Sequence, residues 1–225
     1  MESEASPWLL FGMSALVIVV LAAFSVLATR RLATIPSSRL QNLVELVVSS
    51  LNGFVVGIIG PKGEKYTPFV GTLFIYIFAL NLLGLVPGFK SPTSGLSITI
   101  GLALVVFVVY NVAGIREVGA GPYLKHLAGE PIWLAWLMLP IHIIGELARP
   151  LSLSIRLFGN IFGEETVLMI LAGMTYVIIP YVVAIPTQFP IMLFDVFIAF
   201  VQALVFSMLT AIYISVAITG HEEHA

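Results

Sequence analysis

The sequence predicts an all-α integral membrane protein with five membrane-crossing helices and one interfacial amphipathic helix, the last two helices being long, strongly tilted and paired in a hairpin. Hydrophobic residues make up 59% of the 225 residues and charged residues only 10%, against about 25% charged residues in an ordinary soluble domain. The mean hydropathy is +1.07. The apolar residues fall into runs of about 20 or more, which is the length a helix needs to cross a bilayer. No stretch between them is long enough to fold alone, so we predict one membrane domain over residues 1–225.

The composition also argues against several functional classes. The chain has no cysteine, which excludes disulfides and thiolate chemistry. Its four histidines lack the spacing of a metal-binding motif, so we expect neither a metal site nor a cofactor. The net charge of −2 and the lack of a dense basic run argue against a nucleic-acid partner.

The first predicted element is a membrane span over residues 8–28, within an N-terminal segment 1–60. Arg30 and Arg31 follow this apolar run, whereas only acidic residues carry charge before it. Because lysine and arginine favour the cytoplasmic side, the N-terminus is expected outside. The lack of a basic residue before the run argues against a cleaved signal peptide, so we expect a retained span.

The second element is an amphipathic helix that starts after Pro36 and is expected to lie near the membrane interface. Its apolar side chains recur at helical spacing with polar residues between them. The loop 61–68 contains Lys62 and Lys65 and is expected in the cytoplasm. A helical hairpin over 67–116 follows, with spans over 69–86 and 96–115, and Arg116 marks the return to the cytoplasm.

The segment 132–219 is predicted to form two long helices. The first extends over residues 132–176 and is interrupted by Pro140 and Pro150. After a corner rich in proline, the second covers residues 190–219, roughly 45 Å of helix. Since a perpendicular crossing needs only about 20 residues, both helices must tilt strongly. They should be antiparallel, with the C-terminus in the cytoplasm.

Arg156 is the most informative residue, because it lies inside an otherwise membrane-embedded helix. A charge at the bilayer centre costs at least about 2.5–3.5 kcal/mol. A guanidinium cannot escape that cost by losing its proton, so it needs an anion or water. The alternative is that Arg156 lies near a helix end and extends its side chain to the interface.

The residues around Arg156 on its helix form a stripe of small and polar side chains. At 100° per residue, Ser152 lies about 40° to one side of Arg156 and Asn160 about 40° to the other. Such a stripe allows a second helix to approach closely, carrying an acid that meets the arginine. Alternatively, its glycines serve packing within the chain. Glu165 points about 180° away and Glu164 about 80° away, so they line a separate aqueous path or are ordinary interfacial charges.

The last helix carries a polar stripe of its own. Asp195 and Gln202 are seven residues apart, and Tyr213 returns to nearly the same direction. We expect this stripe to pack beside Arg156, with Gln202 as its hydrogen-bonding neighbour. The alternative for Gln202 and Tyr213 is a purely structural role, as interhelical contacts or an interfacial aromatic residue.

Three segments resemble subunit a of the rotary F-type ATP synthase, and the resemblance covers essentially the whole chain. They are RPLSLSIRLFGNIFGEE (149–165), FVQALVFSMLTAIYIS (200–215) and NLLGLVPGF (81–89). The resemblance implies that Arg156 is the stator charge facing a ring of c subunits and that Asn160 is the asparagine of the motif. It further implies that Glu165 belongs to a half-channel and that Gln202 faces the arginine.

Two positions depart from the family pattern. Asp195 stands where some members have histidine, and His142 stands where many members have an acid, with Glu146 one turn later. Which of His142, Glu146 and Asp195 relays protons therefore stays open. Exchanging one ionisable type for another preserves a hydrated path but changes its response to pH.

The resemblance implies a stator subunit with two proton half-channels that couples proton translocation to ATP synthesis and catalyses nothing alone. It implies three partners, a c-subunit ring, b-type peripheral stalk subunits and the F1 sector, with one copy of this chain per complex. Membrane lipid surrounds it, and a bacterial plasma membrane is expected. The coupling ion, H⁺ or Na⁺, and the ring size depend on another chain.

Two other functions fit the composition. A stand-alone secondary proton or cation transporter would often show inverted repeats with broken helices in matching positions, and none is evident. A noncatalytic membrane scaffold would leave the intramembrane charge unexplained. Neither accounts for the motif around Arg156.

Overall fold

The structure is a computed structural model that describes residues 7–30, 39–86, 89, 91–123, 135–178 and 184–219. Within these ranges all regular structure is helical, which confirms the predicted all-α class. Six long helices follow one another: α1 Pro7–Thr29, α2 Arg39–Ile59, α3 Thr67–Gly84, α4 Leu96–Val118, α5 Ala135–Ile178 and α6 Ala184–Thr219. Short 3₁₀ turns at Pro61–Lys65 and Pro92–Ser94 precede α3 and α4.

Five of the described helices are long and apolar enough to cross a membrane, as an integral membrane protein requires. They are α1, α2, α3, α4 and the part of α6 over Met192–Thr219. Helix α2 is one of the five, whereas the sequence placed it at the interface. The interfacial position of α2 and the crossing by α5 stay predictions.

The end of the long hairpin differs from the prediction. The last helix begins at Ala184 rather than near residue 190, so Pro186 and Pro190 lie inside α6. Proline is tolerated in the first turn because the first N–H groups of a helix have no partner within it, which accounts for Pro186. The corner between α5 and α6 is therefore shorter than the proline spacing indicates, and residues 179–183 lie outside the described ranges.

Glycine ends two of the helices. Gly60 follows α2 with φ of 85° and Gly119 follows α4 with φ of 94°. A side chain would be strained there, so glycine is the residue that allows the chain to turn out of the helix. The N–H of Gly119 donates to the carbonyl of Ile115 at 3.0 Å and closes the last turn of α4. These two ends bring the 3₁₀ turn after α2 close to the end of α4.

Helix α6 is at the centre of the bundle and packs against α2, α3, α4 and α5. Its small residues Ala203 and Ala211 are buried and allow neighbouring helices to approach closely. Phe206 and Ile214 fill the space between them. They belong to one buried apolar cluster with Val70 and Ile77 of α3, Val106 of α4, and Leu153 and Leu157 of α5. By contrast, most large apolar side chains of α1 are exposed.

Candidate functional site

The contact between α5 and α6 is antiparallel, and two contacts define its register. The Asn160 Nδ2 atom donates a hydrogen bond to Gln202 Oε1 at 2.5 Å. Farther along, the guanidinium of Arg149 lies over the Tyr213 ring at 5.6 Å from its centroid. The earlier residue of α5 thus contacts the later residue of α6, as expected for the predicted antiparallel hairpin.

Gln202 is hydrogen-bonded to Asn160, and no hydrogen bond between Gln202 and Arg156 occurs among the described residues. Its side chain is 3% exposed and lies one turn beyond the arginine along α5. Tyr213 is also placed differently from the prediction, since it contacts Arg149. The expected stripe on α6 is therefore not assembled beside Arg156 in the described residues.

Arg156 lies at the midpoint of the 44-residue helix α5 and is exposed. Its buried neighbours Leu153 and Leu157 turn towards the bundle, which directs the guanidinium outwards. Exposed apolar side chains flank the stripe that contains Arg156, with Ile155 about 100° and Leu151 about 140° from Arg156 around the helix. In the part of the chain that the structure describes, no hydrogen bond or ion pair to Arg156 is present. A midpoint position does not fit a residue that reaches the interface from a helix end.

The small residues beside Arg156 also face open space. A Cβ atom added at Gly159 or Gly163 would meet no atom within 4 Å. These glycines therefore do not mediate close packing among the described residues, which contradicts the packing alternative. Ser152 is exposed on the same face, as its direction from Arg156 predicts. The stripe leaves room for a partner outside this chain.

A second arginine on α5, Arg149, has charged and aromatic partners within the chain. Arg149 forms a 2.6 Å ion pair with Glu146, and the Tyr110 hydroxyl donates to the other carboxylate oxygen of Glu146, also at 2.6 Å. The guanidinium lies 5.9 Å from the centroid of the Tyr110 ring and close to that of Tyr213. We call Tyr110, Glu146, Arg149 and Tyr213 the Arg149 cluster. A cation between two tyrosine rings gains cation–π attraction in addition to its ion pair.

Sequence reasoning missed two members of this cluster, Arg149 and Tyr110. The three-residue spacing of Glu146 and Arg149 is a known signal for a helical ion pair and could have identified Arg149. Tyr110 belongs to α4 and is 1% exposed. Its contact with Glu146 joins residues 36 apart in sequence, which no local pattern indicates.

Several polar atoms of the hairpin are buried and form no hydrogen bond to any residue that the structure describes. Asp195 is 2% exposed, and its Oδ2 atom forms no hydrogen bond to any described residue. The same holds for Gln202 Nε2 and Ser207 Oγ. Leaving a buried polar group unpaired costs about 1–3 kcal/mol, so such groups point to water or to an outside partner. Ser207 is a further candidate that the sequence did not indicate, because one serine among apolar residues is a weak signal.

The remaining predicted residues are less constrained. His142 and Glu164 are both half-buried on α5. The backbone of Glu165 belongs to α5, but its side chain lies outside the described residues. Within those residues, no group of three His, Asp or Glu side chains is close enough to hold a metal ion together.

Comparisons with known proteins agree on one family. The family model described as ATP synthase A chain matches residues 10–215. "ATP synthase subunit a" of Solidesulfovibrio magneticus is 49% identical over 207 residues, which cover 92% of this chain and 81% of the relative. "ATP synthase subunit a 2" of Syntrophotalea carbinolica is 43% identical over 203 residues, with 90% and 82% covered. "ATP synthase subunit a" of Protochlamydia amoebophila is 42% identical, with 88% and 76% covered.

Proposed function

Because the chain belongs to the ATP synthase A chain family, we propose that it is the stator of the membrane sector and that Arg156 couples proton translocation to ring rotation. Family membership confirms the resemblance inferred from the motifs and makes the chain a membrane component of a multisubunit ATP synthase. The role of Arg156, the half-channels and the contact with a c-subunit ring belong to the proposal.

The proposal rests mainly on one observation. Arg156 is a permanent charge at the middle of α5, on an exposed stripe of small and polar residues, with no counter-ion among the described residues. An intramembrane arginine needs an anion or water to offset the cost of its charge. Because the described residues offer no anion there, we infer that the anion comes from outside the chain. A carboxylate on a passing c-subunit helix meets that need, and the open stripe of glycines beside Arg156 gives such a helix room.

The mechanism follows from how surroundings change the pKa of a carboxylate. Burial in lipid raises that pKa, whereas a cation within about 4–6 Å lowers it by about 1–3 units. A ring carboxylate is therefore neutral while it faces lipid and releases its proton on reaching Arg156. A membrane potential of about 100 mV supplies about 2.3 kcal/mol for each charge moved. The same arginine repels protons and separates the two half-channels.

Polar side chains of α5 and α6 would line the half-channels. Asp195 and Gln202 are the best supported, because both are buried with an unpaired polar atom. Glu146 is less well suited, since its carboxylate is already engaged by Arg149 and Tyr110. The full proposed set is Ser152, Asn160 and Gln202 within about one turn of Arg156, together with His142, Glu146, Glu164, Glu165, Asp195 and Tyr213.

The arrangement in the complex completes the proposal. One copy of this chain would contact the c ring, b-type stalk subunits and, through the complex, the F1 sector. Arg30 after α1 and Lys62 and Lys65 after α2 support an N-terminus outside a bacterial plasma membrane and a C-terminus in the cytoplasm.

The test replaces Arg156 and measures ATP synthesis. We expect Arg156→Ala to abolish proton-driven synthesis in inverted membrane vesicles while the complex still assembles. Arg39→Ala is the matched control, because Arg39 is also exposed but lies at the start of α2, and it should retain synthesis. Substantial synthesis by the Arg156→Ala complex would contradict the proposal, and ion flux by the purified chain alone in liposomes would favour a stand-alone transporter.

A further inference from the structure

A pocket lies where the 3₁₀ turn after α2 meets the end of α4. Its volume is about 490 Å³. Lys65, Tyr66, Arg116 and Glu117 form its polar part, and valines of α4 form its wall. None of these residues belongs to the proposed proton path or to the Arg149 cluster.

The polar part of the pocket is positively charged. Lys65 pairs with Glu117 at 2.9 Å, which uses the carboxylate of the pocket. Arg116 is exposed, and no hydrogen bond or ion pair to it occurs in the described ranges. The residues that line the pocket thus carry two cations, Lys65 and Arg116, and one carboxylate, Glu117, which leaves one positive charge to attract an anion.

Tyr66 adds a neutral hydrogen-bond donor to this rim. Burial raises the pKa of its hydroxyl above the ordinary value of 10.0, so the hydroxyl keeps its proton at physiological pH. The hydrogen bond from Lys65 to Glu117 likewise raises the pKa of the Lys65 ammonium, which stays charged. The rim can therefore offer both positive charge and a hydroxyl donor.

The wall of the pocket is apolar and follows one ridge of α4. Val108 is 56% exposed and Val112 is 39% exposed, and with Arg116 they recur at intervals of four residues. Residues at this spacing lie on one face of a helix, so the ridge leads from apolar side chains to a cation over about 12 Å. A small inorganic anion would use only the rim. A molecule with an anionic head and a hydrocarbon chain would use both parts.

We propose that this pocket binds one anionic phospholipid, with its phosphate near Arg116 and Lys65 and one acyl chain along Val108 and Val112. Basic pockets at the ends of transmembrane helices are suited to acidic lipid headgroups, and the apolar ridge accounts for the chain. This proposal needs only the membrane location of the protein, so it stands or falls separately from the role of Arg156.

The test uses a phosphatidylglycerol probe with a photoreactive group on its acyl chain and a phosphatidylcholine probe with the same chain. The complex containing this chain is reconstituted into phosphatidylcholine vesicles with either probe, irradiated and mapped by peptide mass spectrometry. We expect phosphatidylglycerol to label residues 108–113 selectively. Arg116→Ala should reduce this labelling about fivefold, and Lys65→Ala with Arg116→Ala should reduce it further.

Two further variants distinguish binding of the lipid headgroup from binding of its acyl chain. Val112→Trp should reduce labelling by filling the wall without changing any charge, whereas Arg39→Ala should leave it unchanged. Equal labelling by phosphatidylcholine would overturn the proposal, because the pocket would then hold only bulk lipid. Displacement of the probe by inorganic phosphate would indicate a soluble anion instead. Labelling of another subunit at this position would show that protein covers the pocket.

Discussion

Two arginines of α5, Arg149 and Arg156, lie seven residues apart and therefore differ by only about 20° in direction. Arg149 has a carboxylate at 2.6 Å, and its side chain is 30% exposed. Arg156 is exposed, with no charged partner among the residues that the structure describes. Nearly the same direction on one helix thus leads to two different electrostatic environments.

The neighbouring helices explain this difference. In its first half α5 is covered by α4, whose Tyr110 reaches Glu146, and by Tyr213 of α6. Near the midpoint, Leu153 and Leu157 occupy the contact with the bundle and Arg156 is left outside. A charge in a membrane helix can be balanced within the chain or by a partner. Arg149 shows the first solution, and we infer the second for Arg156.

The largest difference between the two arginines is expected when each is exchanged for lysine and ATP synthesis is measured. Arg156→Lys should lower proton-driven ATP synthesis at least about tenfold, the equivalent of one pKa unit at the ring carboxylate. Lysine can lose its proton in an apolar setting and lacks the planar fork of donors. Arg149→Lys should leave synthesis per assembled complex near the wild-type level, because a lysine can still pair with Glu146. Vesicle assays of both variants, normalised to assembled complex, provide the comparison.

Equal activity of the two lysine variants would remove the functional distinction between the arginines. A strong loss in Arg149→Lys alone would transfer the coupling role to the Arg149 cluster.

Removing the Arg149 side chain should affect stability more than turnover. Arg149→Ala leaves the Glu146 carboxylate with the Tyr110 hydroxyl alone, and breaking a fully buried pair costs about 3–5 kcal/mol. Because both side chains are partly exposed, we expect up to about 3 kcal/mol, seen as a lower thermal midpoint of the detergent-solubilised complex. Adding Glu146→Gln should recover part of the loss. If the double variant is less stable than Arg149→Ala, the pair is not the source of the effect.

The smallest effect is expected at the hydrogen bond between α5 and α6. Asn160→Ala should destabilise the complex by about 1 kcal/mol, the usual net value of such a bond. A double-mutant cycle with Gln202→Ala, read by thermal unfolding, should give a coupling energy of about 0.5–1.5 kcal/mol. Additive losses would mean that these two side chains do not interact in the assembled complex.

Much of the fold could be predicted from sequence, because the long apolar runs leave helices as the only way to pair the backbone in a membrane. The positions of α3 and α4 agree closely with the predicted spans. The predicted start of α6 was wrong, because proline near the start of a helix does not break the helix. The roles of α2 and α5 were less predictable, because length and hydropathy do not determine how a helix lies in a membrane.

The sequence predicted those features of the candidate site that depend on the geometry of a single helix. The direction of Ser152 relative to Arg156 follows from helical geometry and agrees with the structure. The position of Tyr213 does not, because it depends on the register between two helices. Asn160 and Arg149 are 11 residues apart, as are Gln202 and Tyr213. In an antiparallel pair of helices, the register that brings Asn160 to Gln202 therefore also brings Arg149 to Tyr213. No pattern within either helix determines that register.

The central claim is that the counter-ion of Arg156 belongs to a passing c subunit, and disulfide cross-linking tests it most directly. The chain has no cysteine, so Gly159→Cys introduces its only thiol, beside Arg156 and in open space. A second cysteine is placed one turn from the c-subunit carboxylate, and Val19→Cys on exposed α1 serves as the control. We predict that oxidation links Gly159→Cys to c and leaves Val19→Cys unlinked. Linkage of c to Val19→Cys but not to Gly159→Cys would contradict the account.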